Sequence, residues 1–115
     1  MITLAQPKAT HVKAKLFRGF SDPTRLTLLE TLKQGEATVN EIVEATGFAQ
    51  SNVSNHLACL KDCGLAVCDK RGRHVYYSLA DPRIAEVLAL SEAILSDVGQ
   101  GVYACTRYEV EEQGA

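Results

Sequence analysis

The sequence has no tryptophan, a single methionine and three prolines, and no apolar run near the roughly 18 residues that a membrane-spanning helix needs. No membrane partner is expected. The stretch from Met1 to Lys8 also lacks the continuous apolar segment of a secretory signal, so a cytoplasmic protein is expected. A positive surplus is missing too: 12 lysines and arginines face 14 acidic residues, giving a net charge of −2. Any nucleic-acid binding must therefore come from local rather than bulk charge. There is no glycine-rich phosphate loop and no carboxylate pair. An enzyme would have to rest on the proximity of His56 to Cys59 alone, and none is expected. What is present fits one small domain: 115 residues, 46% of them hydrophobic, enough for a modest core. The four cysteines, Cys59, Cys63, Cys68 and Cys105, come without an export signal and are expected as reduced thiols.

Val53, Leu57 and Leu60 recur at spacings of four and three, which places them on one stripe of a helix facing the core. Ser51, Ser54 and Asn55 point away from that stripe, and Gly64 stands where a helix-ending glycine belongs. Upstream, Val39, Ile42 and Val43 form a shorter apolar stripe, and Thr46-Gly47-Phe48 breaks it before the second helix. Two helices joined by a short glycine-containing turn describe a helix-turn-helix, whose second helix offers a polar face to a major groove. Downstream, Leu65 to Cys68 and the alternating Val75 to Leu79 flank Asp69-Lys70-Arg71-Gly72-Arg73-His74, a β-hairpin with a basic tip. An isolated hairpin of this kind would more often be a solvated turn. Directly behind a helix-turn-helix it reads as a wing, with Arg71 and Arg73 placed for phosphate or the minor groove. Lys61, Lys70, Arg71, Arg73 and His74 gather around this region, whereas acids concentrate at Glu109, Glu111 and Glu112.

Ser21-Asp22-Pro23-Thr24-Arg25 starts another helix, with proline in the first turn, and Leu28, Leu29 and Leu32 give it an apolar face. Two outer helices remain, one carrying Val12, Leu16, Phe17 and Phe20, the other Ile84, Val87, Leu88, Ile94, Leu95 and Val98. A core built on the middle of the chain leaves these stripes uncovered, and a homodimer would bury them. The expected fold is mainly α with a β-hairpin wing, a homodimeric winged helix-turn-helix over residues 1–98. Gly99-Gln100-Gly101 is expected to loosen the chain before a tail over 99–115. Two reading helices about a two-fold axis would match an inverted repeat in double-stranded DNA.

Cys59 and Cys63 lie one turn apart on one helix face, roughly 100° from the core stripe, so packing alone explains them poorly. Two readings are open: small hydrophobes packed against a neighbouring helix, or thiols able to hold one ion. A disulfide between them is within reach but strained, which leaves a redox switch as an alternative. His56 falls on the same stripe. Cys68, on the first wing strand, reads as a packed bystander, and His11 and His74 have no partner by spacing.

Three motifs together resemble the ArsR/SmtB family of repressors over nearly the whole chain. Ser21 to Arg25 is similar to the family's second-helix start, Gln50 to Leu65 to its recognition helix, and Arg71-Gly72-Arg73-His74-Val75-Tyr76-Tyr77 to its wing. Within the family, Ser54 to Leu65 most resembles the cadmium- and lead-sensing CmtR branch. The resemblance implies metal ligation by Cys59, Cys63 and a tail cysteine, here Cys105, and it implies DNA contacts by Gln50, Ser51, Ser54, Asn55, His56, Arg71 and Arg73. No Cys-x-Cys opens the helix near Val39 and the last helix has no histidine pair, so zinc or nickel sensing of that type is disfavoured. A sulfur-only site of low coordination number suits cadmium, lead or mercury, with arsenite sensing as an alternative. Ala49 departs from the pattern, standing where a hydroxyl cap is common. The implied protein is a repressor whose metal-free dimer holds an operator and releases it when the ion binds.

Overall fold

A computed structural model describes residues 7–107. The helices α1 (Pro7–Ser21), α2 (Pro23–Lys33), α3 (Val39–Thr46) and α4 (Gln50–Asp62) come first. An antiparallel hairpin of β1 (Ala66–Arg71) and β2 (His74–Leu79) follows, and α5 (Pro82–Ala104) ends the described chain. The order is that of a winged helix-turn-helix: mostly helical, with a single two-stranded hairpin among the described residues.

Local chemistry sets the boundaries. Asp22 accepts from the Arg25 amide at 3.0 Å with Pro23 in the first turn, satisfying an otherwise orphaned donor of α2. Thr38 and Glu41 close a capping box at the start of α3, and Gly47 ends that helix in the left-handed region at φ 75°. At the end of α4, the Gly64 amide donates to the Lys61 carbonyl at 3.1 Å and the Leu65 amide to Leu60 at 2.9 Å. With Gly64 at φ +82°, this is a Schellman motif, and its hydrophobic pair, Leu60 and Leu65, sits in the core. Ala49, by contrast, gives α4 no side-chain cap.

The core gathers one stripe from each element: Leu28, Leu29 and Leu32 of α2, Ile42 of α3, Val53, Leu57 and Leu60 of α4, and Ile84 and Leu88 of α5. Gly19 lets α1 close on it, since a Cβ there would run into Leu65 Cδ1. The wing is longer than the sequence reading had it. Asp69, Lys70 and Arg71 are paired strand residues, and only Gly72 and Arg73 form the loop. Gly72 at φ +63° stands first in that loop, as a type II′ turn requires. Ala37 adds an antiparallel bridge to Tyr77, with N–H···O distances of 3.0 and 2.8 Å, which fastens the approach to α3 onto the wing.

One expectation is corrected. The chain does not loosen at Gly99-Gln100-Gly101, because α5 runs through them to Ala104. Val98 and Val102, four residues apart, continue the apolar stripe across the glycines. That stripe is uncovered: Leu90, Ile94, Leu95 and Val98 are exposed on α5, as are Val12, Leu16 and Phe17 on α1. No helix among the described residues is long and apolar enough to cross a membrane.

Candidate nucleic-acid interface and thiol site

Burying Val53, Leu57 and Leu60 fixes the rotation of α4 and turns its polar side outward. Gln50, Ser51, Ser54 and Asn55 are exposed there, and His56 is half-buried. Gln50, at the first turn, shares an open cleft of about 400 Å³ with Arg73 and His74 of the wing and with the start of α3. The wing loop and the head of α4 thus border one cleft, as a reading helix with an accompanying wing requires.

The two wing arginines differ. Arg73 lines the cleft. Arg71 turns toward the α2–α3 connection, where its guanidinium meets Glu36 at 2.6 Å and Asp69 at 3.2 Å and lies 4.0 Å from the centre of the Tyr76 ring. The hydrogen bond to Glu36 comes first among the influences that hold Arg71 above its already high ordinary pKa. Sequence reasoning missed this tie. Glu36 and Arg71 are far apart in the chain and meet only because Ala37 bridges to Tyr77.

Cys59 and Cys63 are both exposed, and the Cys63 amide donates to the Cys59 carbonyl at 3.0 Å in the last turn of α4. They are not interior hydrophobes. Desolvation of its sulfur raises the pKa of the Cys63 thiol, and the adjacent Cys59 acts in the same direction, while Arg25 opposes both. Two thiols on neighbouring turns can hold one soft ion, provided that it displaces their protons. Arg25 is itself fixed: its Nη2 donates to the Arg18 carbonyl at 2.9 Å and its Nε to Gly19 at 3.4 Å. It ties the end of α1 to the neighbourhood of the thiols, a role absent from the sequence reading.

Cys105 caps the C-terminus of α5, half-buried beside Val98, Gly101 and Val102. The structure does not bring it to Cys59 and Cys63 within the chain, and among the described residues no group of three or more Cys, His, Asp or Glu side chains gathers for a metal ion. Cys68 lies half-exposed on β1 opposite Tyr77, and its sulfur is the first influence that raises the Lys61 pKa.

Residues 22–66 match the family described as bacterial regulatory protein, arsR family. The chain is 39% identical over 108 residues to a protein of Streptomyces lividans described as a probable mercury resistance operon repressor, a match covering 92% of this chain and 86% of that one. It is 44% identical over 75 residues to the transcriptional regulator CmtR of Mycobacterium tuberculosis, covering 65% of this chain and 64% of CmtR. The solution structure of the cadmium sensor CmtR superimposes with a TM-score of 0.60 at 34% identity, over 89% of this chain and 94% of that one. A homodimeric winged helix-turn-helix DNA-binding domain from Mycobacterium bovis gives 0.71 at 28% identity, over 93% of this chain and all of that domain. These relatives are regulators of transcription, not enzymes.

Proposed function

The chain belongs to the arsR family of bacterial regulatory proteins, and from that premise we propose that it is a cytoplasmic, metal-responsive transcriptional repressor. Its metal-free homodimer holds an inverted-repeat operator, and a soft thiophilic ion (cadmium, lead or mercury) releases it. The observation that carries this reading is the exposed pair Cys59 and Cys63 on the last turn of α4, the helix whose opposite end presents Gln50, Ser51, Ser54 and Asn55. An ion there acts on the element that meets DNA.

In this reading Gln50, Ser51, Ser54, Asn55 and His56 lie near base edges and Arg73 meets phosphate. The third sulfur is the partner's Cys105. Cys105 stands at the end of the uncovered apolar stripe of α5, which supports a crossing at the dimer interface, and no third ligand for the pair gathers within one chain among the described residues. Two thiolates of one helix and a third from the other subunit would tie α4 to the dimer helix in a position the operator does not accept. A coupling of about 1–3 kcal/mol suffices, since it changes affinity about 5- to 150-fold.

The test is operator binding across a panel of metal ions for wild type and for Cys59→Ser, Cys63→Ser, Cys105→Ser and Cys68→Ser. Induction is expected to fail in the first three and survive in the fourth. Full induction in Cys59→Ser or Cys63→Ser would overturn the assignment. The exposure of both thiols one turn apart also favours a second reading, oxidation of the pair as the releasing event. Release by peroxide without metal, with a mass loss of two hydrogens per subunit, would select it.

A further inference from the structure

Arg71 and Arg73 flank Gly72 at the wing tip, and in sequence they look equivalent. In the structure they are not. Arg73 borders the cleft shared with Gln50, whereas Arg71 is held by three groups at once: Glu36 at 2.6 Å, Asp69 at 3.2 Å and the face of Tyr76 at 4.0 Å. Glu36 is carried to this position by the bridge from Ala37 to Tyr77 on β2. We propose that Glu36 is a positioning residue for operator binding: through Arg71 it pins the wing to the approach of α3 and keeps that cation off phosphate, leaving Arg73 to meet the DNA.

This rests on the operator-binding reading above. The physical case is one of charge. A lone exposed ion pair is weak and would yield to a phosphate. Here, removing Arg71 from its partners would leave two carboxylates, Glu36 and Asp69, uncompensated beside a polyanion, and would also forfeit the contact with the Tyr76 ring. Arg71 serves best by neutralising those acids, and the reward is a wing fixed relative to α3 and α4. The α3 start and the wing both line the cleft, so their separation bears on where Arg73 lies relative to Gln50.

The experiment measures dissociation constants against salt concentration for the full chain and a duplex recovered by selection from a random-sequence pool. Each phosphate contact contributes about 0.9 to the slope of log affinity on log salt. Arg73→Met is expected to flatten the slope by about 0.9 per wing, whereas Arg71→Met weakens binding with a clearly smaller change of slope. Arg71→Glu should bind poorly, and the exchanged pair Glu36→Arg with Arg71→Glu should recover most of that loss. A slope flattened as much by Arg71→Met as by Arg73→Met, or an exchanged pair no better than Arg71→Glu, overturns the proposal while operator binding stands. If the wild type recovers no duplex at all, the operator reading falls, and the proposal with it. The tie itself is read without DNA: the Arg71 Nη–H resonances, whose Nη2 group donates to Glu36, should shift in Glu36→Gln, and unmoved resonances would overturn the pairing.

Discussion

At the scale of single residues, the thiols give the sharpest expectation. Desolvation and the neighbouring Cys59 hold the Cys63 pKa above its ordinary value, so in the metal-free protein this group is protonated around neutral pH. An ion must expel that proton. Cadmium affinity should therefore rise with pH across the neutral range and proton release should accompany binding, both read by calorimetry in buffers of different ionisation enthalpy. A pH-independent affinity would mean that Cys63 is not a ligand. Asp81 behaves oppositely. Its carboxylate accepts from the Arg83 side chain and amide while capping α5, which lowers its pKa to about 2. A lowered pKa stabilises the fold where the group is ionised in both states; the contribution is complete above about 4 and fades as pH falls through about 2. NMR titration should place the Asp81 midpoint near 2, and Arg83→Ala should return it toward 3.8.

At the scale of elements, α4 is the one that binding would act on, and its two ends are unequal. The N-terminus has Ala49 and no side-chain cap, and Ala49→Ser should raise stability by about 1 kcal/mol in chemical denaturation. The C-terminus depends on Gly64 at φ +82°, where a Cβ finds open space but a strained backbone, so Gly64→Ala should cost about 1 kcal/mol. Much of this helix was legible in sequence. Val53, Leu57 and Leu60 at helical spacing gave the buried side, and Gly64 gave the stop. What was not legible depends on contacts remote along the chain. Local charge reads Arg71 as a DNA contact, and nothing local shows its pairing with Glu36, which the Ala37–Tyr77 bridge brings near. Glycine at 99 and 101 reads as a break, yet Val98 and Val102 keep the stripe continuous and α5 does not end there. Propensity is a local and weak guide, and two glycines do not by themselves end a helix of this length.

At the scale of the whole molecule, the uncovered stripes of α1 and α5 and the separation of Cys105 from the thiol pair make one argument for a partner. Charged substitutions such as Ile94→Glu should yield a monomer in sedimentation and abolish operator binding. The crossing of Cys105 has its own test in mixed dimers. Homodimers of Cys59→Ser and of Cys105→Ser each lack a complete site, but a heterodimer of the two regains one if the partner's Cys105 is the ligand. If ligation stays within a chain, it regains none. Thiolate-to-cadmium charge-transfer absorbance should reappear on equimolar mixing and subunit exchange, at about half the wild-type intensity per heterodimer and so about a quarter for the mixture.

The central claim is that a soft ion and duplex DNA compete for the same arrangement of α4. Its most direct measurement is a cadmium titration of the dimer with and without saturating operator. Linkage requires that DNA weaken metal binding by the same factor by which metal weakens DNA binding, about 5- to 150-fold. Equal metal affinity in the two titrations would contradict the account.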